Sequence, residues 1–325
     1  MQVKDRVLEA LEANRGTYFS GEALAQQLQV SRSAVWKAIG QLRESGYPIA
    51  AVSNRGYCLA PDSPILSPQS IAQYLTVPGL RLEVQPVVTS TNTVLRQRAE
   101  TGEAEGLALA AVTQTAGKGR RDHGFFSPPD SGLYLSLLLR PKLSAKDALS
   151  LTTCAAASVA LAIEECAGVE ARIKWVNDVF CHGKKVCGIL TEAALDLETG
   201  GLQYAIVGIG VNLFPPEGGF PPELPEAGAV FAARPQGLES RSQLAGSILN
   251  HFFSFYPRLA EKPFFDDYRS RSLVLGREVT VLEGDQTRTA FALDLDADFS
   301  LRVREADGTI HSLSSGEVRV RPAGS

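Results

Sequence analysis

The sequence predicts an α+β protein in three segments: a winged helix-turn-helix, a central layered sheet domain and a small SH3-like barrel. Three observations carry this. Residues 1–60 show three helical apolar periodicities, then two short apolar runs about a turn. Residues 65–270 alternate strand-like and helical stretches, the pattern of a layered domain. Residues 273–325 hold five short alternating runs separated by turn residues, the pattern of a small barrel. The expected units are 1–62, 63–272 and 273–325.

In the first segment Val3, Val7, Leu8 and Leu11 recur at helical spacing. Ser20 is a candidate N-cap for a helix through Leu28. Ser31 is another, for a helix with Ala34, Val35, Ala38, Ile39 and Leu42 on one face, ended by Gly46. A hairpin is expected about Ser53-Asn54-Arg55-Gly56. The pair 20–28 and 31–45 has helix-turn-helix form and the hairpin would be its wing. Charge agrees: residues 31–57 carry Arg32, Lys37, Arg43 and Arg55 against Glu44 alone. Ser31, Arg32, Ser33, Lys37 and Arg55 are therefore the expected DNA contacts. A helical docking domain with solvated charges is the competing reading. Pro61, Asp62, Ser63, Pro64 and Pro68 mark a linker.

In the second segment strands are expected at Leu82–Val88, Leu107–Thr113, Leu133–Leu139, Ala171–Val176, Val186–Thr191 and Tyr204–Val211, with helices at Thr91–Glu100, Lys146–Ala167 and Ser242–Leu259. Residues 214–241, rich in Pro and Gly, read as a surface excursion. In the third segment strands are expected at Glu278–Leu282, Thr289–Leu295, Ser300–Arg304, Ile310–Leu313 and Glu317–Val320.

Composition excludes several classes. The 325 residues are 44% apolar and 21% charged, which is ordinary for a globular chain and unlike a disordered one. The formal charge of −4 excludes a uniformly basic nucleic-acid binder, yet residues 1–60 hold seven basic and five acidic residues. The longest apolar run, Leu149–Ile163, is shorter than the roughly 20 residues needed to span a bilayer, so no membrane is expected. The N-terminus has no apolar signal core. Five cysteines with no C-x-x-C argue against disulfides and structural zinc, and for a reducing cytoplasm.

Five clusters carry candidate chemistry. Gln114–Pro129 brings Gly117, Gly119 and Gly124 together with Lys118, Arg120 and Arg121. Glycines expose backbone N–H groups and arginines fork onto anions, which suits a nucleotide phosphate, although no Walker G-K-[ST] follows. Lys174-Trp-Val-Asn-Asp178 ends an expected strand, where ligands of layered folds gather. Gly183-Lys-Lys-Val-Cys-Gly-Ile-Leu-Thr-Glu192 places Lys185 at a strand entrance, and Gly208-Ile-Gly-Val-Asn212 ends a strand in a polar residue. Thr89-Ser-Thr-Asn92 precedes a helix. Each has a bland reading too: a flexible basic loop, an Asx turn, a solvated edge charge or a plain cap.

In this order and at these separations the clusters resemble the biotin–protein ligase family, over nearly all of the central and C-terminal segments. The S-T-N, G-K/R-G-R-R, K-W-x-N-D, G-K-K-x-x-G-I-L and G-I-G-x-N motifs all stand in the family's order. The first segment, with R-G-Y-x-L at Arg55–Leu59, resembles the bifunctional branch that also represses biotin operons. The resemblance implies a class II-synthetase-like central domain. It implies that biotin is activated by ATP and Mg²⁺ to biotinyl-5′-AMP and transferred to a lysine of a biotin carboxyl carrier protein. It also implies operator DNA as a partner, bound by an adenylate-induced homodimer. By the same resemblance biotin contacts fall on Ser90, Thr91, Asn92, Gln114, Lys118, Gly119, Arg120 and Lys185. Lys185 and Arg120 are the implied catalytic cations. ATP contacts fall on Arg121, Phe125, Asn177 and Asn212, and Asp178 and Asn212 are candidates for the metal.

Three departures stand out. Asp122-His123-Gly124 replaces the family's usual glycine, arginine and variable residue; Val176 replaces a common proline; and Lys118 replaces arginine, keeping charge but losing the fork. The glycine loop is expected to be mobile when empty. Alternatives are a catalytically impaired biotin sensor, a lipoate or octanoyl ligase of the same fold, or a ligase without a DNA role.

Overall fold

The computed structural model describes residues 2–320 apart from 121–122, 145–146, 197, 199, 234–239, 284–285 and 315–316. The first segment is α1 (Val3–Glu12), α2 (Gly21–Leu28), α3 (Arg32–Glu44) and the hairpin β1 (Ile49–Val52)–β2 (Gly56–Leu59). Both expected caps are present: Ser20 Oγ accepts from Ala23 N and Ser31 Oγ from Ala34 N. Such a cap is worth about 1 kcal/mol. Gly46, at φ +90°, ends α3 as expected, with Tyr47 N donating to Leu42 O and Gly46 N to Arg43 O. Val7, Leu11, Leu24, Val35, Leu42 and Leu59 close this unit's own core.

The linker is fastened down. Arg15 donates to the carbonyls of Pro61 and Ser63 and pairs with the buried Glu12 carboxylate. Burial raises the Glu12 pKa against the opposing pull of Arg15. Arg241 donates to Pro64 O at 2.6 Å and lies 3.2 Å from Asp130.

After α4 (Pro68–Ala72), the central elements are β3 (Arg81–Val88), α5 (Thr91–Glu100), β4 (Leu107–Gln114), β5 (Gly132–Leu139), α6 (Ala148–Ala167), β6 (Arg172–Lys174), β7 (Asp178–Cys181), β8 (Lys184–Leu195), β9 (Leu202–Asn212), α7 (Ser240–Phe255) and α8 (Phe265–Ser270). The strands form one mixed sheet in the order β3-β4-β5-β9-β8-β7-β6, in which only β3 and β4 run parallel. Strand β5 is buried throughout, so it reads as an apolar run broken at Ser136 alone. Alternation along β4 sends Ala108 and Ala110 to the face under α6 and α7, and Leu107 and Leu109 to the face under α5.

Four expectations need correction. The strand expected at Ala171–Val176 stops at Lys174, and Asp178 opens a separate four-residue strand. The helix expected to Leu259 ends at Phe255 and tightens into a 3₁₀ segment, Tyr256–Glu261, with a proline at its start. Helix α6 has 20 residues, enough by length and composition to cross a membrane; its apolarity is that of a core helix, buried against the sheet, α7 and α8. The excursion after residue 213 is anchored: Phe214 and Val230 are buried, and Val230 N donates to Asn212 O.

The last five strands, β10 (Glu278–Glu283), β11 (Gln286–Leu295), β12 (Leu301–Glu305), β13 (Ile310–Leu313) and β14 (Glu317–Val320), form an antiparallel sheet in the order β13-β12-β11-β10-β14. Its core joins that of the central sheet: Val279, Ala292, Leu301 and Val303 belong to the same apolar cluster as Ile173 and Trp175. Trp175 Nε1 donates to Phe299 O at 2.8 Å.

Candidate active site

The ends of β4, β6 and β9 and the starts of β7 and β8 open on one cavity of about 660 Å³. Its floor is bare backbone. Gly188 and Gly210 face each other across β8 and β9, and Gly208 lies one step deeper opposite Leu190. A Cβ on Gly210 would stand 2.5 Å from the Phe125 ring, and one on Gly208 would stand 2.2 Å from Asn92 Oδ1. Both distances are impossible for a real side chain, so these glycines are demanded by close approach.

The deep end is a closed polar network. Ser90, Thr91 and Asn92, at the start of α5, are buried. Gln114 Oε1 accepts from Thr91 N (2.9 Å) and Thr91 Oγ1 (3.2 Å), while its Nε2 donates to Ser127 Oγ at 2.9 Å. The Ser136 hydroxyl stands 2.6 Å from Thr91 Oγ1 and 2.7 Å from Asn92 Oδ1. Asn92 Nδ2 donates to Leu190 O and to Glu192 Oε2. Both ends of the Asn92 amide are thus bonded to the protein, as are both ends of the Gln114 amide. Buried networks of this kind hold their members rigidly when every member is satisfied.

The mouth is cationic. The Gly117–Phe125 loop is closed on itself: Gly119 N donates to His123 O (2.7 Å) and Phe125 N to Gly117 O (2.9 Å). That pairing joins the loop's described arms. Arg120 reaches across to donate to Asn177 Oδ1 at 2.8 Å. Asn177 Nδ2 donates to Asp178 Oδ1 and to Ile189 O. Lys185 Nζ lies 2.8 Å from Asp178 Oδ1. Lys118, Gly119 and Asn212 also line the cavity. Arg121 and Asp122 lie outside the described residues. Phe125 lies over the glycine floor, edge-on to Tyr134 with centroids 6.4 Å apart. Burial pushes the Tyr134 hydroxyl up to about 12, so it stays a donor, here to Pro128 O.

Ser127, Ser136 and Glu192 were missed in the sequence because they act on partners 13 to 100 residues away. The wall from the 214–233 excursion was missed too. Phe220, Glu223, Leu224 and Glu226 line the mouth, Lys185 N donates to Glu226 O, and Lys184 Nζ to Pro225 O. The only hint was an apolar Phe220 and Leu224 set among stiff prolines. Lys174, buried, faces Glu226 at 3.8 Å.

Thiol chemistry finds no support at this site. Cys187 lines the cavity, but burial raises its pKa and keeps the thiol protonated, so it is no nucleophile. No group of three metal-binding side chains occurs among the described residues. Asp178, which lines the cavity with Asn212, is already matched by Lys185. That donor set fits a cation carried in on phosphates, as Mg²⁺ commonly is, better than a resident ion.

Comparison with known proteins bears on the family and the fold. The family model described as "Biotin/lipoate A/B protein ligase family" matches residues 84–212, flanked by an HTH domain at 4–58 and "Biotin protein ligase C terminal domain" at 274–321. "Bifunctional ligase/repressor BirA" of Bacillus subtilis is 36% identical over 254 residues, 78% of this chain and 77% of that protein. The chain belongs to the biotin protein ligase family. The Escherichia coli protein of the same name is 29% identical over 320 residues, 97% of each chain. A solved biotin protein ligase of Aquifex aeolicus, in complex with biotin and ATP, superposes with a TM-score of 0.60 at 29% identity, over 75% of this chain and 99% of that one.

Proposed function

We propose that this chain is a bifunctional ligase and repressor: it activates biotin with ATP to biotinyl-5′-AMP, transfers it to a lysine of a biotin carboxyl carrier protein, and represses biotin genes through its N-terminal domain. The observation that carries the ligase reading is the cavity itself. A satisfied polar network ends a flat glycine floor at one end, and Arg120 and Lys185 stand at the other. The HTH domain and the relatives named ligase/repressor support the second activity.

In the first step a biotin carboxylate oxygen attacks the α-phosphorus of ATP, a P–O bond forms and diphosphate leaves. Two anions must meet, and the cations at the mouth offset their repulsion. Asp178 fixes the Lys185 ammonium and Asn177 fixes the Arg120 guanidinium, so both are positioned before substrate arrives. Ser90, Thr91 and Gln114 present hydroxyl and amide groups to the biotin ureido ring, with Lys118 and Gly119 closing over it. Phe125 packs on adenine, with Asn212 and Arg121 on the nucleotide. Asp178 and Asn212 would hold Mg²⁺, which would supply countercharge to the triphosphate. In the second step the carrier lysine's neutral amine attacks the acyl carbon, the amine loses a proton and AMP leaves. No acyl-enzyme forms. Ser33, Arg32, Lys37 and Arg55 contact operator DNA. Arg55 is already stacked 4.1 Å from the centroid of the Tyr18 ring, and Ser31 serves as the helix cap. A homodimer formed with biotinyl-adenylate presents two such helices. A cytoplasmic location accords with five unpaired cysteines.

The test is incubation with biotin, ATP, Mg²⁺ and a biotin carrier domain, followed by a streptavidin blot. Biotinylated carrier is expected from the unmutated chain; none would end the ligase reading. For the repressor arm, sedimentation and a DNA-shift assay with and without biotin and ATP should show pairing and tighter binding together.

A further inference from the structure

Helix α3 carries two residues that its own fold does not explain. Trp36 is 71% exposed, the most exposed large apolar side chain among the described residues. Its ring meets no other ring and no cation in any described contact. The opposite face of α3, with Val35, Ala38, Ile39 and Leu42, is the one that fills the core. Trp36 instead shares the outer face with Ser33, Lys37 and Gly40, which recur three and four residues apart.

Gly40 is the second oddity. It stands inside a 13-residue helix, where glycine weakens the helix relative to alanine. Its φ is not positive, and a Cβ there would meet nothing within 4 Å. Neither backbone conformation nor internal crowding demands a glycine. A surface arriving from outside would supply the demand. Arg32, which lies 3.3 Å from the Glu22 carboxylate on α2, and Lys37 flank Trp36 in sequence, and residues 31–57 carry Glu44 as their one acid. That charge suits a polyanion and does not suit a second copy of this acidic chain.

We infer that Trp36 and Gly40 form an apolar step that reads thymine in the operator's major groove. The indole packs on a thymine C5-methyl, the one apolar group on a major-groove base edge, and the bare backbone at Gly40 lets the helix seat against the groove wall. Arg32 and Lys37 then give affinity without sequence, while Trp36 gives specificity. This rests on the repressor reading of the N-terminal domain.

The probe is a duplex enriched by the unmutated full-length chain, with biotin and ATP present, from a randomised duplex library. Its thymines are replaced singly by deoxyuracil, which removes the methyl alone. At one thymine per half-site the unmutated chain should lose affinity on the order of tenfold, the scale of a lost base contact. Trp36→Ala should bind the parent duplex that much more weakly and no longer distinguish uracil from thymine, with binding to a scrambled duplex unchanged. Gly40→Ala should melt at a higher temperature yet bind the enriched duplex more weakly, a split that a purely structural role does not produce. Trp175, the other of two tryptophans, is buried, so a shift in indole emission on adding duplex reports Trp36. Equal uracil sensitivity in Trp36→Ala and the unmutated chain, or undiminished binding by Gly40→Ala, overturns the inference while sparing the repressor reading. Failure of the unmutated chain to enrich any duplex removes both.

Discussion

The cavity and the outer face of α3 handle their polar side chains in opposite ways. In the cavity Thr91, Asn92, Gln114, Ser136 and Asn177 are bonded to one another and to backbone without any ligand. On α3, Ser33, Trp36, Lys37 and Gln41 stand exposed to solvent. The first arrangement is pre-organised, so binding there costs little further ordering. The second leaves ordering and desolvation to the moment of contact, which suits a surface whose affinity must depend on something else, such as pairing of two chains. Perturbations should therefore be large and local in the cavity, and small and salt-dependent on the helix.

The largest effect is expected from Lys185→Ala. It removes a cation aimed at developing charge and leaves Asp178 as an unmatched acid in an anion site. The rate of adenylate formation should fall about 10²–10³-fold, or roughly 3–4 kcal/mol, as when one oxyanion donor is lost. Lys185→Arg should recover part of it. A single-turnover rate within threefold of the unmutated chain would detach Lys185 from the chemistry. Gly208→Ala comes next. Its Cβ would intrude to 2.2 Å from Asn92 Oδ1, and the whole Asn92–Ser136–Thr91 network must shift. Overpacking of this kind costs about 1–3 kcal/mol. The melting temperature should drop and biotin binding, followed by calorimetry, should weaken together. Unchanged biotin affinity would show that the network is scaffolding alone.

Legibility divides along the same line. The caps Ser20 and Ser31 were readable because cap chemistry is local, acting within three residues. The cations Arg120 and Lys185 were readable because motif order brought them forward, and the fold sets both at one cavity mouth. What stayed hidden was non-local. Strand β7 is four residues long and opens on an Asn-Asp pair that reads as a turn; only pairing with β6 and β8 makes it a strand. Glu192 reaches Asn92 across 100 residues. The proline-rich stretch looked like a detour, yet Lys185 N donates to Glu226 O and makes it a wall. The barrel-like tail was visible as strands, but nothing in its alternation showed that its core merges with that of the central sheet through Trp175 and Phe299.

On the helix, Lys37→Ala should act weakly and uniformly. The expected change is a salt slope of DNA binding reduced by about 1, with sequence preference intact. A slope unaltered within error would mean Lys37 meets no phosphate.

The smallest effect lies away from both regions and calibrates them. Glu103 is half-buried at the surface, and hydrogen bonds from Arg81 and then Arg98 hold its carboxyl at about 2, below its ordinary 4.5. A depressed acid stabilises the fold fully above its unfolded pKa and loses that contribution as pH falls through the folded one. Its contribution should therefore be present above about 4.5 and vanish by about 2. Solvent screening keeps such a surface pair small. Glu103→Gln should flatten the stability curve across that window and leave it unmoved at neutral pH apart from a constant offset. A pH profile identical in shape to that of the unmutated chain would show that the arginines do not perturb this acid. Exposed charge on this chain would then count for less than the contrast between cavity and helix requires.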